Sequence, residues 1–464
     1  MKNFIHTWFG DREFYRMVMA VSLPLVIQQF ISTFVSLLDN IMVGQVGTLA
    51  MSAVSVSNQL LMVVNLAIIG SVNAAGIFSA QYFGKDDMEG MRACLRFKIY
   101  IALLFSAVGL FIFSFFGQNL VGLYLHEGIN DAASIAVTAK YAIDYIDIML
   151  VGLIPFAITM AFGSSMRDTG KTVLVMVSSL ISVAVNFCLN YCLIFGHFGF
   201  PKLGVEGAAI ATVIARYVEM AVVLYGSVRH KHDYYPYVPN LFHKLSVPFD
   251  LVEKIIKKGT PLIMNEICWS MGIAAISQRY SIRGLEAVAA INISETVANL
   301  FAMSSMALGI SVSILVGQRL GAGKIEEAKD VDRKMLAFSI MVSLVFTLIL
   351  FMASPFLPKI YRTDAAVQDL ACTLLKITSL SLPLGAICNI CYFTLRSGGK
   401  TVITFLFDCV FTCTVSYGTA TVLTLFTPLP IATIYFCVKM VDIIKVVIGL
   451  TLLNKGIWIH NLVN

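Results

Sequence analysis

Long apolar stretches separated by short polar segments recur along the whole chain. A membrane-spanning helix needs about 20 mostly apolar residues, and twelve stretches meet that requirement. The pattern therefore predicts twelve spanning helices joined by turns rich in Gly, Pro and charged residues. Their approximate limits are residues 18–43, 49–80, 97–116, 135–162, 172–195, 208–227, 261–280, 288–316, 335–356, 367–395, 402–426 and 431–452.

Composition excludes a soluble protein. Of the 464 residues, 58% are Ala, Val, Ile, Leu, Met, Phe, Trp, Tyr or Cys, and 13% are charged. Soluble domains have about 25% charged residues, so this chain has too few to cover a water-exposed surface. The ten cysteines show neither disulfide nor metal-site spacing. The predicted fold class is therefore an all-α polytopic membrane protein.

The distribution of basic residues predicts the orientation in the membrane. With the N-terminus inside, the inner segments hold 23 of the 33 Lys and Arg residues and the outer segments hold seven. Basic residues favour the cytoplasmic side, so both termini are predicted to be cytoplasmic. The net charge of +6 then reflects topology and does not indicate nucleic-acid binding.

The two halves of the chain are similar to each other. An offset of 237 residues aligns Pro24 with Pro261, Ser57 with Ser294, Gln81 with Gln318 and Gly84 with Gly321, and an offset of 229 aligns 167–172 with 396–401. Six spans per half give parallel repeats. We therefore expect two six-helix lobes, residues 1–228 and 259–464, joined by a cytoplasmic linker, residues 229–258, and facing each other across a central cavity.

Asp39 is an acidic residue in the first predicted span, where the second half has Ile276. A charged side chain at the centre of a bilayer costs at least about 2.5–3.5 kcal/mol, so Asp39 requires a cation, a partner or a proton. A functional role is the favoured interpretation. The alternative is an interfacial residue that caps the turn at 44–47.

Asn186 and Asn190 lie one helical turn apart in the fifth span, where the second half has Val415 and Thr419. Two amide oxygens on one helix can bind a hard cation or hydrogen-bond a carboxyl group. They can equally join two membrane helices. The residues alone leave both interpretations open.

Other intramembrane charges are candidates for two different roles. We consider Glu266, Glu295 and Asp408 as residues of a substrate cavity. Pro261 is predicted to begin span seven, so Glu266 could instead be a first-turn acid. The i,i+3 pairs Arg216/Glu219 and Lys439/Asp442 occur in both halves, which predicts structural ion pairs.

An ordered set of motifs resembles the multidrug and toxic compound extrusion (MATE) family, in particular its DinF-like branch. The motifs are Asp39-Asn-Ile-Met-Val-Gly44, Ala80-Gln-Tyr-Phe-Gly84, Arg167-Asp-Thr-Gly-Lys171, the segment from Asn186 to Gly196, and the segment from Pro201 to Thr212. The resemblance implies a secondary active exporter in the cell membrane. It would move amphipathic, often cationic compounds by alternating access of two lobes, with H⁺ or Na⁺ as the coupling ion and no other cofactor.

Carried over by position, the resemblance implies a cation or proton site at Asp39, Tyr145, Asn186, Asn190 and Thr212. Those family members usually have a second Asp where this chain has Asn190. One fewer negative charge should weaken Na⁺ binding, which favours proton coupling. Apart from Na⁺ at this site, no metal is predicted.

Two further hypotheses belong to other functional classes. A flippase of a lipid-linked substrate is the alternative, but twelve spans and acidic cavity candidates argue against it. A membrane enzyme needs a catalytic constellation within the membrane, whereas His6, His126, His197, His230, His232, His243 and His460 all lie outside the predicted spans. We predict no enzyme activity and no nucleic-acid partner, and a monomer suffices because the repeat supplies two lobes.

Overall fold

The structure is a computed structural model that describes residues 8–122, 132–231, 235–361 and 363–463. Long α-helices account for most of these residues, as the apolar pattern predicts. His197, His230, His243 and His460 lie outside the long helices. His6, His126 and His232, which are predicted to lie in loops or tails, fall outside the described residues.

The described residues of the first half include seven α-helices. They are α1 (Arg12–Gly44), α2 (Thr48–Gly84), α3 (Met88–Gly122), α4 (Ala132–Val151), α5 (Leu153–Asp168), α6 (Val173–Phe195) and α7 (Val205–Arg229). The described residues of the second half also include seven. They are α8 (Phe249–Ser281), α9 (Leu285–Gly321), α10 (Ile325–Ala353), α11 (Ala365–Ser397), α12 (Thr401–Phe426), α13 (Ile431–Met440) and α14 (Asp442–Asn454).

Nine helices of the described residues are long and apolar enough to cross a membrane, and α4 with α5 forms a tenth span bent by 48°. The break lies at Gly152, between the two helices. The two remaining predicted spans correspond to α8 and to α13 with α14. Helix α8 carries charged residues from Asp250 to Glu266, which lower its apolar character, whereas α13 and α14 have only 10 and 13 residues and are each too short to cross a membrane alone.

Helix α8 begins earlier than predicted. Pro261 was expected to begin span seven, but the helix begins at Phe249 and Pro261 lies inside it. Asp250 in the first turn favours the helix dipole, and Lys257 forms an i,i+4 salt bridge with Glu253 at 2.5 Å. Glu266 therefore lies in the interior of a long helix, and the interpretation of this residue as a first-turn acid is wrong.

The chain forms two compact units. The N unit comprises Leu23–Ser79 and Asp87–Val252, and the C unit comprises Met1–Ser22, Ala80–Asp86 and Glu253–Asn464. The end of α2 thus belongs to the C unit although it lies in the first half of the chain. Each unit has its own apolar core, around Ile146 and Ala209 in the N unit and around Ala290 and Tyr435 in the C unit.

The internal repeat is visible in equivalent hydrogen bonds. In the N unit, Ser57 Oγ donates to Ala53 O at 2.8 Å and approaches Ala142 O at 3.1 Å. In the C unit, Ser294 Oγ makes the same contacts with Ala290 O at 2.9 Å and Ala371 O at 3.2 Å. Ser57 and Ser294 are aligned by the offset of 237, so the repeat found in the sequence extends to side-chain geometry.

Within the C unit, two aligned glycines permit close packing of α2 and α9. A methyl group added at Gly84 would lie 1.8 Å from Gln318 O, and one added at Gly321 would lie 1.9 Å from Gln81 O. Small residues allow membrane helices to approach closely. The reciprocal contact explains why both halves have glycine at this position.

The segment after α7 packs within the N unit. Arg92 Nε donates to Pro239 O at 3.0 Å, Arg96 donates to Ser246 O at 2.9 Å, and Tyr100 Oη donates to Leu245 O at 2.8 Å. Tyr237 is 1% exposed, and this burial raises the pKa of its phenol well above the usual value. The residues predicted to form a linker are therefore anchored to α3.

Candidate functional site

A chain of polar side chains connects three helices of the N unit. Asn190 Nδ2 of α6 donates to Asp39 Oδ1 of α1 at 2.6 Å and to Asn186 Oδ1 at 3.1 Å. Asn186 Nδ2 then donates to Thr212 Oγ1 of α7 at 3.2 Å. The structure thus brings together four of the five residues predicted for the coupling site, and we call these four residues the Asp39 network.

The remaining predicted residue, Tyr145, lies beside the Asp39 network. Its side chain interacts electrostatically with Asp39, and its hydroxyl donates to Asn58 Oδ1 at 3.4 Å. Asn58 was not predicted as a site residue. Tyr145 is 5% exposed and belongs to the apolar core of the N unit.

Charge and hydrogen-bonding capacity are incompletely satisfied in the Asp39 network. Within the described residues, no Lys, Arg or His lies within salt-bridge distance of Asp39. Asn190 is 1% exposed, and its Oδ1 accepts no hydrogen bond from the described residues. A buried unpaired acceptor is costly. The site therefore has one negative charge to neutralise and one free acceptor oxygen.

A cavity of about 300 Å³ lies beside Asp39, between α1 and α6. Most of its wall is apolar, and Asp39 and Asn186 supply the polar groups. A mostly apolar cavity with few polar groups is typical of a small-molecule site. The lining residues are Phe34, Val35, Leu38, Asp39, Val183, Ala184, Asn186 and Phe187.

The predicted ion pair between Arg216 and Glu219 is absent from the salt bridges of the described residues. Arg216 instead donates to Gly152 O at 3.2 Å and lies 4.8 Å from the centroid of the Phe156 ring. Glu219 accepts a hydrogen bond from Ser179 Oγ at 2.7 Å. The Gly152 carbonyl lies at the break between α4 and α5. Arg216 donates to this carbonyl and does not pair with Glu219, its i,i+3 neighbour.

The predicted pair of Lys439 and Asp442 forms no salt bridge within the described residues either. Lys439 Nζ lies 5.1 Å from the centroid of the Tyr435 ring. It interacts electrostatically with Glu295 as well as with Asp442. Helix α13 ends at Met440 and α14 begins at Asp442, so Lys439 and Asp442 lie on either side of a break in the helix. Glu295 belongs to this group.

Asp408 forms the buried ion pair of the C unit. Lys445 Nζ of α14 donates to Asp408 Oδ1 at 2.6 Å, and Asn265 Nδ2 of α8 donates to Asp408 Oδ2 at 3.0 Å. The Lys445 ammonium also lies 5.4 Å from the centroid of the Phe407 ring, where cation–π attraction is favourable. The charge of Asp408 is therefore already neutralised by the protein.

Asp408 lies in an irregular part of α12. Residues Leu406–Val410 and Thr412–Ser416 form π-helical turns. Such turns are rare and frequently mark functional sites. Glu266 is exposed and interacts with Tyr392, Arg396 and Asp408, so two of the three cavity candidates, Glu266 and Asp408, are close together.

Two buried ion pairs were missed by the sequence analysis. One is the pair formed by Lys445 and Asp408. The other joins Lys98 Nζ to Asp168 Oδ2 at 2.5 Å in the N unit, where Ser164 and Ser165 also accept from the ammonium. Lys98 is fully buried. Basic residues inside apolar spans were the available signal, because they require acidic partners at that depth.

The Asp39 network is suited to binding a single positive charge. It combines one carboxylate with neutral amide and hydroxyl groups. Within the described residues, no group of three His, Cys, Asp or Glu side chains is arranged to hold a metal ion. A proton or a monovalent cation matches this set, whereas a divalent cation would leave an excess of positive charge.

The MatE family model matches residues 24–192 and 261–415, which together make up most of the chain. The probable multidrug resistance protein NorM of Thermotoga maritima is 26% identical over 400 residues, covering 85% of this chain and 83% of that protein. The probable multidrug resistance protein YoeA of Bacillus subtilis is 27% identical over 383 residues, covering 81% and 80%. The DinF-like branch stays a prediction.

The fold is also that of solved MATE structures. The outward-facing structure of a multidrug resistance MATE family transporter matches with a TM-score of 0.86 at 16% identity, covering 98% of this chain and 97% of that one. This likeness extends over both halves of the chain and agrees with the twelve predicted spans. The chain belongs to the multidrug and toxic compound extrusion (MATE) family of membrane transporters.

Proposed function

We propose that the protein is a secondary active multidrug exporter that exchanges amphipathic, often cationic compounds for H⁺ or Na⁺. One observation carries the proposal. Asp39 has an amide donor at 2.6 Å but no cationic partner among the described residues. A carboxylate at this depth is stable only when a positive charge compensates it, and an exchangeable ion can supply that charge.

A proton is the favoured coupling ion. Asn190 directs its NH₂ group at Asp39 Oδ1, so one carboxylate oxygen is already engaged by a donor. A Na⁺ ion needs several oxygen ligands, and this amide would have to turn its oxygen towards the ion. Protonation of Asp39 requires no such rearrangement. The absence of a second carboxylate at position 190 also favours a proton over Na⁺.

The cavity beside Asp39 supports exchange between ion and substrate. Its apolar wall can hold the body of an amphipathic compound, while its cationic group approaches Asp39. A proton and a cationic substrate would then compete for one negative charge. Such competition supplies the differential affinity between two transporter states that a coupled cycle requires.

The predicted topology belongs to the same proposal. Two lobes, residues 1–228 and 259–464, would alternate access, with both termini on the cytoplasmic side of the cell membrane. The bias of basic residues towards one set of loops supports this orientation. The internal repeat supplies two lobes in one chain, so a monomer suffices.

Membership of a transporter family excludes the enzyme hypothesis. No observation supports the lipid-flippase alternative. The acid of the Asp39 network would also repel the phosphate groups of lipid-linked substrates. The names of the relatives, which describe multidrug resistance proteins, support small amphipathic compounds as the substrate class.

The direct test is transport of a fluorescent cationic dye in proteoliposomes, with a pH gradient and a Na⁺ gradient imposed separately. We expect wild-type protein to respond to the pH gradient. D39N should lose at least about 90% of gradient-driven transport, because Asn cannot carry the proton. D147N is the matched control, since Asp147 is an exposed acid on α4 outside the Asp39 network.

Each other outcome contradicts part of the proposal. Normal pH-driven transport by well-expressed D39N would exclude Asp39 as the coupling residue. Transport driven only by Na⁺ would exclude H⁺ and assign the ion to a site completed by Asn186, Asn190 and Thr212. Absence of transport under both gradients, together with movement of a lipid-linked precursor, would replace the exporter with the flippase.

A further inference from the structure

Asp332 is a buried acid between α10 and α11 of the C unit. Its side chain lies two turns into α10, and the residue is 7% exposed. Thr394 Oγ1 of α11 donates to Asp332 Oδ1 at 2.5 Å. Within the described residues, Asp332 forms no salt bridge. The carboxyl group is therefore desolvated and has one neutral donor.

The internal repeat provides no basic partner for Asp332. The offset of 237 aligns Asp332 with Leu95, which is fully buried in the N unit. The N unit has its ion pair one turn further, between Lys98 and Asp168. The residues aligned with that pair in the C unit are Met335 and Ser397. The second half thus lacks both charges of the pair and has an acid where the first half is apolar.

The surroundings of Asp332 offer little stabilisation to a negative charge. Arg333, the next residue of α10, interacts with it electrostatically without forming a salt bridge. Cys391 of α11 is a further titratable group that interacts with it. Burying an unpaired carboxylate is far more costly than burying a neutral carboxyl group. The neutral form fits this interface better.

We propose that Asp332 is a proton-binding site of the C unit, holding a proton at neutral pH in the interface between α10 and α11. Thr394 and the carboxyl group then share a hydrogen bond between two neutral groups. Loss of the proton would leave a buried negative charge with a single hydroxyl donor. Water would have to enter, so deprotonation would loosen the packing of α10 against α11.

This site is separate from the Asp39 network, which belongs to the N unit. The proposal therefore does not depend on whether Asp39 carries the coupling ion. It assigns to the C unit a group that changes protonation with local pH and converts that change into altered helix packing. No other described acid of α10 has this environment, because Asp330 is paired with Lys334 at 2.6 Å.

Infrared spectroscopy of the purified full-length protein tests the proposal. Protonated carboxylic acids give a carbonyl stretching band that ionised carboxylates lack. We expect wild-type protein at neutral pH to show such a band with a component from Asp332, and D332N to lose that component. D330N is the matched control on the same helix and should keep the band. T394V should keep the band but move it to higher frequency, because the hydrogen bond is lost.

A second variant separates protonation from folding. D332L/T394V introduces the Leu found at the aligned position 95 and also removes the hydroxyl donor, and replacing both partners of a buried hydrogen bond by apolar groups can be nearly neutral. We expect D332L/T394V to retain at least about 90% of the wild-type yield of monodisperse protein. An unchanged carboxylic-acid band in D332N would overturn the proposal. Failure of D332L/T394V to fold while D332N folds would also contradict it, since the site would then require a polar group. Loss of a band in D39N alone would concern the proposed coupling site and not Asp332.

Discussion

The N unit and the C unit each bury an acid at a contact between their helices, and the two acids are neutralised differently. Asp39 in the N unit receives a hydrogen bond from the amide of Asn190 and has no cation nearby in the described residues. Asp408 in the C unit receives an amide hydrogen bond from Asn265 and a salt bridge from Lys445. One site has a net negative charge and the other is internally balanced.

The two units differ in this way although the aligned residues make equivalent contacts. Gln28 donates to Ser179 at 3.0 Å in the N unit, and the aligned residues Asn265 and Asp408 form the same contact at 3.0 Å in the C unit. An offset of 223, which also aligns Arg216 with Lys439, aligns Val222 with Lys445. The C unit therefore has an acid and its base at positions where the N unit has Ser179 and Val222. An acid without a base, such as Asp39, is therefore the group available to an exchangeable ion.

The largest predicted effect concerns Lys445. K445A leaves the charge of Asp408 buried and unpaired, so it should lower the free energy of unfolding by about 3–5 kcal/mol. Removing both charges in the double variant D408N/K445M should restore most of this loss. Thermal unfolding in detergent measures both values. Equal stability of K445A and wild-type protein would show that the ion pair is not a structural element of the C unit.

D39N provides the matching measurement in the N unit. Since Asp39 has no cation to lose, this variant should unfold within about 1 kcal/mol of wild-type protein. A loss as large as that of K445A would contradict the distinction between the two acids.

An intermediate effect is expected from a second acid in the Asp39 network. N190D places two carboxyl groups at hydrogen-bond distance, where one must bind a proton or a cation. Na⁺ should then stabilise N190D by about 1–3 kcal/mol, depending on its concentration relative to the dissociation constant. Wild-type protein should show a smaller Na⁺ effect. N186D is the companion variant, because the hydrogen bonds of Asn186 in the described residues go to Asn190 and Thr212.

The smallest effect concerns a feature that both units share. Ser57 and Ser294 make equivalent hydrogen bonds between helices. S57A and S294A should each lower stability by about 0.5–1 kcal/mol, and the two losses should agree. Unequal losses, measured by the same unfolding assay, would limit the structural symmetry of the repeat.

Helix positions and the repeat could be predicted because they depend on local apolar composition and on self-similarity of the chain. The beginning of α8 could not, because Pro261 is an ordinary helix boundary signal. In the structure, charged residues from Asp250 onwards extend the helix beyond the apolar part. The break at Gly152 also escaped prediction, although the span that contains it was found.

The site could be predicted only where residues of one helix carried the signal. Asn186 and Asn190 are spaced to share a helix face, and Asp39 stands out as an acid in an apolar run. The ion pairs were mispredicted because their partners lie on other helices. Arg216 donates to the carbonyl of Gly152, and Lys445 pairs with Asp408 in a π-helical turn. Such contacts depend on how the helices pack.

Proton release on substrate binding tests the central claim most directly. A cationic substrate is added to purified protein in weakly buffered detergent solution, and the pH change is recorded together with binding. If substrate replaces the proton of Asp39, wild-type protein should release up to about one proton per molecule bound. D39N should release none. Equal release by D39N, or substrate binding by wild-type protein without release at any pH at which transport occurs, would contradict the account.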